Sequence, residues 1–148
     1  LVRYRAEKAG ITLRTEIEPE LPETLIDENA MTLVLLNLLE NALKYGATEG
    51  GTIEVRVTAA DDHVELSVSD QGPGIPREEV SRVFDRFYRA KAVRSQSARG
   101  SGIGLSLVKH IVQAHGGRVQ VDSELGHGAM FRVTIPLRAL RGGQAEQP

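Results

Sequence analysis

The spacing of apolar residues predicts a long amphipathic helix in the first third of the chain. Asp27 is a typical N-cap residue, and apolar side chains then recur every three or four positions as far as Tyr45-Gly46. At about 100° per residue these side chains share one wide face, which we expect to be buried. That face consists of Met31, Leu35, Leu38, Leu39 and Ala42.

A narrow polar stripe is predicted on the opposite side of the same helix. Asn37, Asn41 and Lys44 follow one another at helical spacing, so their side chains stack. Asn is a mediocre helix former because its amide competes for backbone hydrogen bonds. A solvated face would explain this stripe if it stood alone. The same groups would also suit an anionic ligand accompanied by a metal ion, and other parts of the chain favour that interpretation.

Alternation of apolar and polar residues predicts five β-strands. They span residues 11–17, 52–59, 64–70, 118–122 and 129–136. The short connection at 60–63 makes the second and third strands a hairpin. Because every strand alternates, the sheet should bury one face and leave the other largely in water.

Further helices are predicted at 1–10, at 77–83 and from the Gly100–Gly104 segment to about His115. Amphipathic helices need an apolar surface to cover, and the sheet offers one. The predicted fold class is therefore an α/β two-layer sandwich, with a mixed, mostly antiparallel five-stranded sheet and helices on one face.

Composition fits a soluble globular domain and excludes several functions. The chain has 148 residues and a formal net charge of −2, so no general basic field points to nucleic acid. It has no Cys, which excludes disulfides and thiol catalysis, and neither a signal peptide nor a membrane-spanning run is visible. We expect residues 1–10 to end an upstream helix, 11–137 to form the domain and 138–148 to be a flexible tail. We also expect the isolated domain to be monomeric.

Glycine clusters add candidate chemistry. Asp70-Gln-Gly72-Pro-Gly74 ends a strand, and Gly100-Ser101-Gly102-Ile103-Gly104 opens a helix. Each could be no more than a turn or a helix start. Taken with the stripe, they describe a nucleotide site, because a carboxylate accepts from an exocyclic amine and a glycine-rich helix N-terminus offers N–H groups to phosphate. The amide oxygen of Asn is a hard ligand that suits Mg²⁺.

A basic segment separates the two glycine clusters. It carries Arg86, Arg89, Lys91, Arg94 and Arg99 without an acidic residue, and residues 90–99 are almost free of apolar content. We expect a mobile lid at about 86–101 that contributes positive charge to the site. Phe84 and Phe87 at its near end are typical core anchors.

Five stretches in this order resemble the catalytic and ATP-binding domain of bacterial sensor histidine kinases, in the GHKL superfamily with its Bergerat fold. Asn-Leu-Leu-Glu-Asn-Ala at 37–42 resembles the asparagine box, and Asp70–Gly74 resembles the first glycine box. Phe-Asp-Arg-Phe-Tyr-Arg at 84–89 resembles the phenylalanine box. The segments beginning at Gly100 and at Gly126 resemble the remaining glycine boxes. The resemblance runs from about residue 11 to residue 137.

The resemblance implies a role for each matching residue. Asp70 would bind the adenine amine, Asn41 would hold Mg²⁺ with support from Asn37, and Lys44 and Arg86 would contact phosphate. The implied catalytic residues are Asn37, Asn41, Lys44 and Arg86. The implied nucleotide contacts are Tyr45, Asp70, Gly72, Gly74, Ile75, Phe87, Gly100, Ser101, Gly102, Ile103, Gly104 and Leu105.

The implied function is a kinase domain that donates the γ-phosphate of ATP to a histidine on a separate dimerisation domain of its parent protein. A response regulator receiver domain would be the next partner, in the cytoplasm, with a membrane-anchored parent. His63, His110, His115 and His127 are not followed by an acidic residue, so we expect no acceptor histidine in this chain.

Two alternatives remain open on the residues. One is a GHKL ATPase that hydrolyses ATP, although such enzymes carry a Glu where this chain has Asn37, and an amide is not a general base. Glu40 lies beside the stripe and keeps slow hydrolysis open. The other is a nucleotide-binding regulatory module without catalysis. Phosphate transfer to a histidine, as opposed to release of free phosphate, separates these functions.

Overall fold

A computed structural model describes residues 2–46, 48–85 and 104–138. Its strands form one sheet in the order β1-β2-β3-β5-β4, in which β1 and β2 are parallel and the other neighbours are antiparallel. The strands are β1 (Thr12–Ile17), β2 (Thr52–Ala59), β3 (His63–Ser69), β4 (Arg118–Ser123) and β5 (Ala129–Pro136). The predicted mixed, mostly antiparallel five-stranded sheet is confirmed.

Helices pack on this sheet as a second layer. They are α1 (Val2–Lys8), α2 (Glu28–Asn41), α3 (Arg77–Val80) and α4 (Gly104–Ala114). The Asp27 carboxylate caps α2 by accepting a hydrogen bond from the Ala30 N–H at 3.0 Å. Helix α2 packs on α4, and α4 in turn contacts β4 and β5. None of the helices in these described ranges is long and apolar enough to cross a bilayer.

Cross-strand register builds the core between the layers. Val55 of β2 pairs with Val68 of β3, Val68 pairs with Phe131 of β5, and Phe131 pairs with Val121 of β4. Because side chains alternate along a strand, this row faces the helices while its polar neighbours face water. On the face turned to water, for example, Nη2 of Arg132 forms an ion pair with Oδ2 of Asp122 at 2.7 Å.

Helix α2 differs from its prediction in where it ends and in what it buries. The α-helical hydrogen bonds stop at Asn41, and Ala42–Gly46 form one π-helical turn. The predicted apolar face omitted Val34, which is 0% exposed and lies one turn before the buried Leu38. Met31 and Leu35, predicted to be buried, are only half-buried. Since Asn41 lies two turns after Val34, the polar stripe borders the buried face and does not oppose it.

Three smaller expectations also need correction. β1 was predicted to be half-buried, but it is an edge strand in which only Leu13 packs against the core and Ile17 is 62% exposed. The helix predicted over 77–83 is α-helical only over Arg77–Val80 and continues as a turn. His63, predicted in the hairpin loop, is the first residue of β3.

Candidate functional site

Asp70 follows β3 directly and is the only charged residue among the buried ones in the described part of the chain, with 9% exposure. Its Oδ1 accepts two backbone hydrogen bonds, from the Gly72 N–H at 3.0 Å and from the Ala129 N–H at 3.2 Å. Burial raises the pKa of Asp70 above its ordinary value of 3.8, and the two N–H donors act in the opposite direction. Both donors use Oδ1, so neither of these hydrogen bonds occupies Oδ2.

Glycines surround Asp70 because the backbone approaches it from three sides. A Cβ atom at Gly46 would lie 2.1 Å from Asp70 Oδ2, and one at Gly72 would lie 2.2 Å from the Gly46 carbonyl oxygen. A Cβ at Gly128 would lie 2.1 Å from the Asp70 carbonyl oxygen. Gly72, a predicted site residue, therefore leaves room for the backbone of the π-helical turn. Gly46 and Gly128 also leave room around Asp70, and they were not among the predicted site residues. The sequence signals were the position of Gly46 after a helix and the position of Gly128 within the segment that resembles the last glycine box.

Gly128→Ala should destabilise the fold far more than Gly126→Ala in the same turn. Both residues have positive φ, 81° and 84°, but a Cβ at Gly126 meets nothing within 4 Å. Gly126→Ala should therefore cost only the backbone strain, about 1–2 kcal/mol. Gly128→Ala adds the collision with Asp70 and should cost about 3 kcal/mol or more. Equal free energies of unfolding in urea for the two variants would contradict this packing.

The polar stripe meets the glycine segment at the start of α4. The Asn37 amide Nδ2 donates to the Leu33 carbonyl at 2.7 Å, and its Oδ1 faces the first residue of α4. A Cβ atom at Gly104 would lie 2.8 Å from that Oδ1. Asn37 and Asn41 are half-buried, whereas Lys44 is exposed, so only the two asparagines of the stripe are partly withdrawn from water. The structure thus brings Asn37 and Gly104 together, as the sequence predicted for one site.

Lys44 lies in the π-helical turn with Tyr45, at the end of α2. Its Nζ is 3.8 Å from Oε2 of Glu40. The other carboxylate oxygen of Glu40, Oε1, accepts from Nη1 of Arg5 on α1. The sequence singled out Glu40 only as a group beside the stripe, and nothing in the local pattern pointed to a partner 35 positions earlier.

The first glycine loop is fastened to the last one by a hydroxyl. Ile75 donates its N–H to the Ser123 Oγ at 2.7 Å, and the same hydroxyl donates to the Gly128 carbonyl at 2.9 Å. A Cβ atom at Gly74, where φ is 78°, would lie 2.4 Å from the Glu124 carbonyl oxygen, so this glycine also packs on the β4–β5 turn. Leu105 packs against the core, and its side chain therefore fixes the first turn of α4.

Several predicted site residues lie outside the described ranges. They are Arg86, Phe87, Gly100, Ser101, Gly102 and Ile103, together with the predicted lid at about 86–101. Phe84, at the near end of the segment, is described and packs edge-on against Phe131 with ring centroids 6.0 Å apart. Its predicted role as a core anchor is confirmed.

The donor set favours a metal that keeps most of its water. Within residues 2–46, 48–85 and 104–138, no group of three or more His, Cys, Asp or Glu side chains could enclose a metal ion. The Oδ1 of Asn37 lies near the N-terminus of α4, and Asn41 provides a second amide one turn later on α2. Mg²⁺ uses few protein ligands and shares its remaining positions with phosphate and water, so these residues fit that ion when it arrives with a nucleotide.

The four histidines lie in different surroundings. The ring of His115 is half-buried and joins the end of α4 to the start of α2. Its Nδ1 lies 2.9 Å from the Ile111 carbonyl, and its Nε2 accepts from the Asp27 N–H at 3.0 Å. His110 and His127 are exposed, and His63 lies beside Asp62.

Comparison with known proteins identifies the family and the fold of the chain. The family model described as histidine kinase-, DNA gyrase B- and HSP90-like ATPase matches residues 26–139. The chain belongs to this ATPase family. Within it, the chain is 44% identical over 129 residues to the adaptive-response sensory kinase SasA of Parasynechococcus marenigrum (strain WH8102). That match covers 86% of this chain and 33% of SasA, so the chain spans about a third of this relative's length.

Solved structures of histidine kinases share the fold. Full-length ShkA in complex with AMPPNP superposes with a TM-score of 0.78 at 33% identity, covering 96% of this chain and 29% of ShkA. Histidine kinase ThkA in complex with response regulator protein TrrA gives a TM-score of 0.74 at 26% identity, covering 92% of this chain and 37% of that chain. The predicted Bergerat-fold, ATP-binding catalytic domain of a sensor histidine kinase is confirmed.

Proposed function

We propose that this ATPase-family domain binds Mg-ATP and donates the γ-phosphate to a histidine on a separate dimerisation domain of its parent protein. From there a response regulator receiver domain would take the phosphoryl group in the cytoplasm. One observation carries the proposal: the oriented amide of Asn37 lies against Gly104 at the N-terminus of α4. That contact joins the stripe of α2 to backbone N–H groups able to bind phosphate.

The second half of α2 runs between the two ends of the proposed nucleotide site. Gly46 touches Asp70, where the adenine amine would bind, and Asn37 touches Gly104, where the phosphates would lie. Nine residues separate these points, which is roughly 13 Å along a helix. A nucleotide lying along the helix would therefore place its phosphates near Asn37, Asn41 and Lys44.

Mg²⁺ bound at Asn41 would neutralise charge on the phosphates. Asn37 would support it through Oδ1, the oxygen that lies beside Gly104. Lys44 would add a mobile positive charge, and Arg86 is proposed to reach the γ-phosphate. Phosphoryl transfer needs mainly alignment and charge neutralisation, and these residues supply both.

Hydrolysis is less well supported than transfer. The amide of Asn37 donates to the Leu33 carbonyl and cannot remove a proton from water. Glu40 is the carboxylate of α2 that is nearest to Asn37 in the sequence. Both of its oxygens form ion pairs, one with Arg5 and one with Lys44. A general base must have an oxygen directed at the attacking water, and the direct contact of Oε1 with Arg5 leaves only Oε2 for that use. A regulatory module without catalysis differs by binding ATP without phosphate transfer.

Incubation with γ-labelled ATP and Mg²⁺ should leave this chain unlabelled, whereas a separate dimerisation domain carrying the acceptor histidine should be labelled in trans. His110 lies within α4 and His115 directly follows it. Because the helix rises about 1.5 Å per residue, they lie roughly 9 Å and 16 Å along its axis from Gly104, where the phosphates would bind. Acid-labile label on any of the four histidines would contradict the assignment of the substrate. Release of free phosphate at a rate matching ATP consumption, with no label on the acceptor, would favour the ATPase alternative.

A further inference from the structure

Glu40 joins α1 to the lysine of the site. Its Oε1 accepts from Nη1 of Arg5, and its Oε2 lies 3.8 Å from Nζ of Lys44. Arg5 belongs to α1, which lies outside the residues that the family model matches. Helix α1 is nevertheless part of the packed domain, because its Ala6 is 1% exposed within the core. Arg5 is therefore held close to α2 by packing as well as by its ion pair.

We infer that Arg5 is a positioning residue which sets, through Glu40, how readily Lys44 can leave its carboxylate partner for the phosphates of ATP. This inference rests on the proposed role of Lys44 in phosphate binding. All three side chains are about two-fifths exposed, so the ion pairs exchange readily with water and with a ligand. An ammonium 3.8 Å from its partner is at the outer limit of an ion pair, whereas Arg5 contacts the same carboxylate directly.

The direction of the effect follows from the charge on Glu40. While Arg5 neutralises that carboxylate, the carboxylate attracts Lys44 less strongly and repels phosphate little. If α1 moves and withdraws Arg5, the full charge of Glu40 attracts Lys44 and opposes the nucleotide. The position of α1 would then be converted into affinity for the triphosphate.

The test is a double-mutant cycle on the chain, read as affinity for a non-hydrolysable Mg-ATP analogue. Arg5→Ala should weaken binding by roughly two- to fivefold, the range of an exposed ion pair, and Arg5→Lys should largely restore it. Glu40→Gln should strengthen binding or leave it unchanged. In the Glu40→Gln background, Arg5→Ala should have no further effect, because Arg5 acts only through that carboxylate.

The affinity for adenosine distinguishes a structural defect from a specific effect on phosphate binding, because only a structural defect would change it. Adenosine lacks phosphates, so its affinity should be the same in all four proteins of the cycle. Arg3→Ala is the matched control, since it removes the same charge from the same helix and should leave analogue affinity unchanged. The inference would be overturned if Arg5→Ala reduced the affinity for the analogue equally in the presence of Glu40 and in the Glu40→Gln background. It would also be overturned if Arg3→Ala reduced that affinity as much as Arg5→Ala does. Either result would leave the proposed function intact. Failure of the unaltered chain to bind the analogue would overturn both.

Discussion

Asp70→Asn should reduce the affinity for ATP by about 3 kcal/mol, roughly 100-fold, without unfolding the domain. The backbone N–H groups of Gly72 and Ala129 still need an oxygen at the Oδ1 position as the acceptor of their hydrogen bonds. This requirement orients the new amide, so its NH₂ group replaces the carboxylate oxygen presented to the ligand. A donor would then face the adenine amine, which is itself a donor. Calorimetry with ATP measures the loss directly.

The same substitution should change base selectivity. GTP carries a carbonyl at the six-position, which the Asp70 carboxylate repels and an amide NH₂ attracts. The preference for ATP over GTP should therefore shrink in Asp70→Asn. Asp61→Asn makes the identical change in the exposed β2–β3 connection and should alter neither affinity. Equal affinities of the unaltered chain for ATP and GTP would remove Asp70 from the base site.

Stability gives an independent check, because Asp70 should cost the fold free energy at neutral pH. Burial raises its pKa in the folded state above the ordinary 3.8, so the unfolded chain releases this proton first as pH rises. The contribution of Asp70 to the free energy of unfolding is therefore largest in acid and is lost as pH rises through the folded pKa. Asn does not ionise. Asp70→Asn should thus be at least as stable as the unaltered chain at pH 7, with the difference shrinking towards pH 3.8.

Asn41→Ala should abolish phosphate transfer to a dimerisation domain in trans, with a loss of more than about 100-fold. Asn41 ends α2 beside the π-helical turn, where we propose that it holds Mg²⁺. Ala has the higher helix propensity, so the substitution should not destabilise α2. The measurement is the rate of label appearing on the acceptor histidine at saturating Mg²⁺.

Two variants separate a metal ligand from a structural group at this position. Asn41→Asp keeps an oxygen and should retain measurable transfer with a changed dependence on Mg²⁺ concentration. Thr32→Ala removes a polar group from an exposed position of α2 and should leave the rate unchanged. Undiminished transfer by Asn41→Ala would show that the metal is held elsewhere.

Local patterns determined the fold class and much of the candidate site. Strand alternation placed β2 at its observed bounds, 52–59, and β5 at 129–136, because half-buried strands impose a period of two on the sequence. Asp70 at the end of a strand and Gly104 at the start of a helix were also visible, since both motifs are written in consecutive residues. The order of the motifs then indicated a single nucleotide site.

Tertiary structure decided what depends on contacts between distant segments. Burial of Val34 requires the packing of α2 on α4, and the exposure of Ile17 follows from the edge position of β1. Asp70 meets Gly46, Gly72 and Gly128 because two loops and a π-helical turn converge on it, and helical periodicity does not predict a π-turn. The pairing of Arg5 with Glu40 spans 35 positions. No local pattern encodes such a contact, because it depends on where α1 packs after the chain has folded.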